Sequence, residues 1–248
     1  MITRAIVITG AASGIGAATA RRLAAPGVAL LLHSRRNQTG LDQVAGQARA
    51  LGAETATVLG DLAHPDVAAG IIDAACNEFG RLDVLVSNAG FADRAPLGSL
   101  SDADFARSLD AIQWGFFRLA RAAMPHLGAG GRIVAVSSFV AHAFRPDLPA
   151  FAASAAAKAG MEALVRALAI ELAPNGVTVN AVVPGFIAKD ATAHAAIDPT
   201  TQRAQLARIP AGRVGRPDEI AAAITFLAGP DAAYITGQAL HVDGGLVI

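Results

Sequence analysis

Runs of apolar and β-branched residues recur along the chain: AIVITG, VALLLHS, TATVLGD, LDVLVSN, RIVAVSS, VTVNAVV and ALHVDGG. Between them lie longer alanine- and leucine-rich segments with helical spacing, such as IGAATARRLAA and AGMEALVRALAIELA. Strands this uniformly apolar must be covered on both faces, and parallel neighbours need crossovers long enough to hold a helix. The alternation therefore predicts a doubly wound α/β domain built on a parallel sheet. No stretch reads as a linker or an internal repeat, so residues 1–248 are expected to form a single domain. The least regular stretch, about 187–212, follows a strand and is placed to cover a ligand at the carboxyl ends of the strands.

Bulk properties narrow the function. Apolar residues make up 53% and charged residues 16%, which suits a large core and excludes disorder. With a formal net charge of zero there is no basic excess to grip phosphate backbones, so no nucleic-acid partner is expected. The single cysteine, Cys76, cannot form an internal disulfide and fits a reducing compartment. The opening MITRAIVITG reads as a strand and lacks the pattern of a secretory leader, and no apolar run is long enough to span a bilayer. The expectation is a cytoplasmic protein without a membrane partner.

The strongest local motif is ITGAASGIGAATA, which follows the first strand and opens a helix. Its glycines, Gly10, Gly14 and Gly16, let the turn tighten and let backbone amides approach a pyrophosphate, and the helix N-terminus adds N–H groups and positive dipole character. The same spacing also serves a tight strand-to-helix turn without a ligand. Cofactor choice is read from the end of the second strand, LLLHSRRNQTG. An acidic residue there would accept ribose hydroxyls; this chain has Ser34, Arg35 and Arg36. Guanidinium groups bind a 2′-phosphate that a carboxylate would repel, so NADP is favoured over NAD.

TGAASGIG, SNAG at 87–90, GRIVAVSS, a lysine on the next helix, VNAVVPGFI and YITGQALHVDGG occur in that order. Together they resemble the short-chain dehydrogenase/reductase family over about residues 2–248. The resemblance implies a Rossmann-type domain with a seven-stranded parallel sheet and helices on both faces, a nicotinamide cofactor and a homo-oligomer, tetramer or dimer. Matching residue by residue, Gly10, Ser13, Gly14, Ile15 and Gly16 fall on the phosphate loop. Asp61 and Leu62 fall on the pair beside the adenine, and Asn88, Ala89 and Gly90 on the strand end beside the cofactor. Pro184, Gly185 and Ile187 fall on the turn under the nicotinamide. Ser13 stands where NADP-preferring relatives often carry a basic residue.

The family's chemistry uses a tyrosine as acid/base, a lysine one helical turn later, an orienting serine and an upstream asparagine. Ser138 matches the serine and Lys158 the lysine; the tyrosine position is then Ser154, and the asparagine position is Ile112. Aligning Phe151 with the tyrosine instead would put Ala155 at the lysine. The only tyrosine is Tyr234, in a C-terminal packing motif. Lys189 stands where relatives place a threonine. A serine hydroxyl is a far weaker acid than a phenol, and losing general acid catalysis forfeits about 10²–10⁴ in rate. Candidate replacements are His142, in a segment that also carries Asp147, Lys158 or Lys189, or a water that Ser154 could hold.

Two readings follow. One is an NAD(P)-dependent oxidoreductase acting on a carbonyl/alcohol pair, with Ser138, Ser154 and Lys158 in an altered proton-transfer site. The alternative is a cofactor-binding regulatory or partner subunit without turnover. The substrate pocket, near Phe91, His142, Phe144, Phe151 and the 187–212 stretch, suggests a moderately apolar small molecule.

Overall fold

The computed structural model describes residues 1–148, 150–188 and 206–248. Seven parallel strands form one sheet in the order β3-β2-β1-β4-β5-β6-β7. They are β1 Arg4–Thr9, β2 Val28–Ser34, β3 Glu54–Leu59, β4 Val84–Ser87, β5 Arg132–Val136, β6 Thr178–Pro184 and β7 Ala239–Val242. Each falls within one of the apolar runs or overlaps its edge.

The helices described are α1 Gly14–Leu23, α2 Gln38–Ala50, α3 Val67–Phe79, α4 Asp102–Ser108, α5 Gly115–Ala123, α6 Ala152–Leu172 and α7 Pro217–Ala228. A π-helical stretch, Leu109–Trp114, joins α4 to α5.

The period-2 geometry of the strands divides the core into two apolar layers. Val7 and Leu31 point to one side, where α3, α5 and α6 cover them with Ile71, Phe116 and Val165. Ile6, Ile8, Leu30 and Leu32 point to the other, against Ala17 of α1, Val44 of α2 and Ile224 of α7. Full burial of each such aliphatic side chain contributes about 1.5–3 kcal/mol. A smaller cluster beyond the strand ends joins Phe139, Leu148, Phe151, Ile209 and Leu246.

The order of the sheet positions the site. After β3 the chain crosses back to lay β4 against the other side of β1, pairing Ile6 with Val84 and Ile8 with Val86. The two halves diverge there, and the crevice beyond the carboxyl ends of β1 and β4 is where a doubly wound sheet receives a ligand.

Candidate functional site

A cavity of about 980 Å³ opens at that crevice. The β1–α1 turn forms its floor through Gly10, Ser13 and Ile15. Gly10 and Gly14 adopt the left-handed region, with φ of 66° and 54°, which explains glycine at both. Gly16 lies beneath the floor. A Cβ there would fall 2.3 Å from the Gly10 carbonyl oxygen and 2.7 Å from Asn88 Nδ2, so helix and loop meet backbone to backbone.

Asn88 fixes this junction. Its Nδ2 donates to the Thr9 carbonyl at 2.9 Å and the Gly10 carbonyl at 3.2 Å. In return Thr9 Oγ1 accepts from the amides of Asn88 and Ala89, both at 3.0 Å. Ala89 and Gly90 line the cavity with Asn88.

At one end, Ser34, Arg35, Asn37, Asp61 and Leu62 form the wall. Arg35 Nη1 stands 3.9 Å from Asp61 Oδ2, and both side chains are partly exposed; such a pair is loose and leaves the guanidinium free to turn. Arg36 is exposed and lies outside the lining. His33 also lines the cavity, with Nε2 2.8 Å from the Gly60 carbonyl and a buried Nδ1 that has no partner. Burial holds this imidazole below the ordinary histidine range, so it is neutral and Nδ1 is an acceptor.

At the other end, Ser138, Lys158, Pro184, Gly185 and Ile187 line the cavity. Lys158 is 7% exposed and donates from Nζ to the Val136 carbonyl at 2.5 Å. Burial lowers its pKa from 10.5 to about 8, against the opposing pull of the Glu162 carboxylate. A Cβ on Gly90 would meet Lys158 Nζ at 3.4 Å and Ile112 Cγ1 at 3.9 Å, so Ile112, Gly90 and Lys158 share one corner.

Ser154, one turn before Lys158, is 1% exposed and lies outside the lining. Its Oγ accepts from the Asp93 amide at 2.8 Å, tying the segment after β4 to α6. Phe151 precedes α6 with φ of 50° and packs against Phe139 in the small cluster. The structure thus corrects the expected substrate wall. Phe91 lines the cavity, whereas His142, Phe144 and Phe151 do not; Phe144 is exposed and Phe151 buried. Asp147 faces outward, paired with Arg145 and Arg208. Tyr234, expected in a packing position, is fully exposed on the chain. Lys189 and most of the 187–212 stretch lie outside the described residues.

Sequence reasoning missed Ser137, Asp93, Arg94, Arg107 and Ala111, which also line the cavity. Arg107 bridges to Asp104 at 2.6 Å and Asp93 at 3.4 Å and lies over the Phe91 ring. The charged FADR run directly after SNAG was a usable signal for Asp93 and Arg94. Nothing in the sequence marked Arg107.

The residues present fit a dinucleotide: a glycine-walled helix N-terminus, an orphan acceptor on His33 and a loosely paired guanidinium at one end, and a buried ammonium at the other. No group of His, Cys, Asp and Glu among the described residues could hold a metal ion, and none of the described helices is long and apolar enough to cross a membrane.

Comparison with known proteins agrees with this geometry. A family model described as enoyl-(acyl carrier protein) reductase matches residues 10–247. Cis-4-hydroxycyclohexanecarboxylate dehydrogenase of Sinomonas cyclohexanicum is 40% identical, over 98% of this chain and 96% of that protein. A 3-oxoacyl-(acyl-carrier-protein) reductase of Synechocystis is 38% identical, likewise over 98% and 96%. Among solved structures, a short chain dehydrogenase from Burkholderia cenocepacia in complex with NADP superposes with a TM-score of 0.90 at 32% identity, over 99% of this chain and 98% of that one.

Proposed function

This chain belongs to the short-chain dehydrogenase/reductase family, and from that premise we propose that it is an NADP-dependent oxidoreductase acting on a small, moderately apolar carbonyl or alcohol, with an altered proton-transfer site. One observation carries the proposal: the glycine turn and the Ser138–Lys158 pair line the same cavity. When bound, the dinucleotide supplies or accepts hydride.

The chain's own residues divide the remaining work. Gly10, Ser13 and Ile15 cradle the diphosphate, Asp61 and Leu62 border the adenine, and Arg35 binds the 2′-phosphate. Arg36, next to it in sequence and exposed, adds positive charge to the same turn. Ser138 Oγ holds the substrate oxygen, and the Lys158 ammonium draws charge toward it and holds the ribose. Ser154 serves through Asp93, by fixing the wall beside Arg94. The structure of a relative with NADP supports the choice of dinucleotide. Ile170, Tyr234 and Ile248, all strongly exposed on the single chain, support a homo-oligomer.

One specific observation favours a second reading. The only tyrosine, Tyr234, lies outside the cavity lining, so no phenol serves the site, and a cofactor-binding partner subunit would need none. A titration with NADPH and NADH, followed by cofactor oxidation against a panel of ketones and aldehydes, decides between them. Tight NADPH binding with turnover is the expected outcome. Tight binding without turnover selects the partner subunit, and no binding of either dinucleotide overturns both.

A further inference from the structure

Beneath the Lys158 end of the cavity lies a buried line of hydrogen-bonded groups that the reading above leaves unused. Ser137 lines the cavity and donates from Oγ to Glu162 Oε1. Glu162 is 2% exposed and sits one turn beyond Lys158 on α6. The same Oε1 accepts from His142 Nε2 at 2.9 Å. His142 is about a quarter exposed, so the line reaches solvent. Its ring meets His241 edge-on at 4.6 Å, and His241 Nδ1 lies 3.3 Å from Asp243 Oδ2. Glu162 is thus faced by Lys158 from its own helix, by Ser137 from the end of β5 and by His142 from the turn that follows, with His241 and Asp243 behind.

A carboxylate buried this fully is costly unless its partners use it. We propose that Ser137, Glu162 and His142 form a proton line between the cavity and solvent, replacing the phenol that this chain lacks. The inference rests on the oxidoreductase reading above. In the reducing direction, hydride arrives at the carbonyl carbon and the C=O π pair moves onto oxygen. That oxygen takes the Ser137 hydroxyl proton; the His142 imidazolium passes its Nε2 proton to Glu162 Oε1, and the carboxyl so formed hands it to Ser137 Oγ, which restores the carboxylate and leaves a neutral imidazole. Solvent then reprotonates the imidazole. Alcohol oxidation runs the same line outward. Ser137 is the catalytic residue; Glu162 and His142 act through it.

The test compares wild type with Ser137→Ala, Glu162→Gln and His142→Gln. Each variant is checked for an unchanged melting temperature and for an NADPH Kd within about twofold of wild type. Ser137→Ala and Glu162→Gln are expected to lower the reduction rate by about 10²-fold or more. His142→Gln should lower the reduction rate and recover it with added imidazole, which a packing role would not allow. Independently of turnover, a downfield His142 Nε2–H resonance should be present in wild type, shifted upfield in Glu162→Gln and absent in His142→Gln. If Glu162→Gln does not fold, Ser137→Ala and imidazole rescue decide. Wild-type turnover with unaffected Ser137→Ala and no rescue overturns the proton line alone. A wild type that binds NADPH but turns over no substrate overturns it together with the oxidoreductase reading.

Discussion

Lys158→Met isolates the free energy of holding an ammonium inside this site. The variant keeps most of the side-chain volume and removes the charge. In the unfolded chain the ammonium titrates near 10.5, and in the folded chain near 8, because burial disfavours the charged form. That gap corresponds to about 3 kcal/mol. Below pH 8 the ammonium is charged in both states, and the folded state carries the full penalty. Between about 8 and 10.5 the folded state releases its proton while the unfolded state keeps it, so wild-type stability rises with pH, and above that window the penalty is gone. Urea unfolding of both proteins at steps from pH 7.5 to 10.5 should show wild type gaining about 3 kcal/mol relative to Lys158→Met. The variant leaves the Val136 carbonyl without its donor, which offsets the two curves but does not change their relative slope. Groups common to both proteins cancel. Curves that stay parallel through the window would refute the assignment of Lys158 as a desolvated ammonium.

Other perturbations follow from the same geometry. Gly16→Ala forces a Cβ to within 2.3 Å of the Gly10 carbonyl; it should cost about 1–3 kcal/mol of stability and weaken NADPH binding at least tenfold by calorimetry. Gly46→Ala, on an open face inside α2 with nothing within 4 Å of the new Cβ, should instead stabilise by about 0.5–1 kcal/mol in the same melt. Arg35→Ala should weaken NADPH binding by about 10-fold or more while leaving NADH binding nearly unchanged, since a charge-assisted phosphate contact contributes about 1.5–3 kcal/mol. Ser154→Ala leaves the Asp93 amide without its 2.8 Å acceptor and should destabilise by about 1–3 kcal/mol, with hydrogen exchange rising at residues 91–94.

The sheet was legible because its signal is local and redundant. Every strand overlaps an apolar run that the sequence marks by itself, and the glycine turn stands at the first strand-to-helix junction, where Gly10 and Gly14 both adopt positive φ. The neighbourhood of the nicotinamide end was not legible in the same way. Ser137 and Ser138 are adjacent, yet sequence pattern singled out only Ser138, because nothing local shows that Ser137 meets a carboxylate 25 residues later. Glu162 reads in sequence as an ordinary helix-face acid; only the packing of α6 against the residues that follow β5 buries it. Ser154 was recognised by its spacing from Lys158, but its hydroxyl is turned to Asp93, a contact across 61 residues. His142 and Phe151 lie in a segment of irregular backbone, where residue order gives no direction to the side chains.

The clamp formed by Asn88 also has a consequence for how the chain acquires its binding competence. The amide that secures the Thr9 and Gly10 carbonyls comes from a residue 78 positions beyond Gly10, directly after β4, which pairs with β1 on the edge opposite β2. Closing a segment that long is entropically slow compared with pairing β1 with β2 across α1. The phosphate turn therefore takes its final shape only when β4 docks on β1. A nascent chain that ends before β4 holds the whole glycine motif and lacks the clamp that shapes it, so dinucleotide capture reports completion of the central sheet and not the presence of the motif.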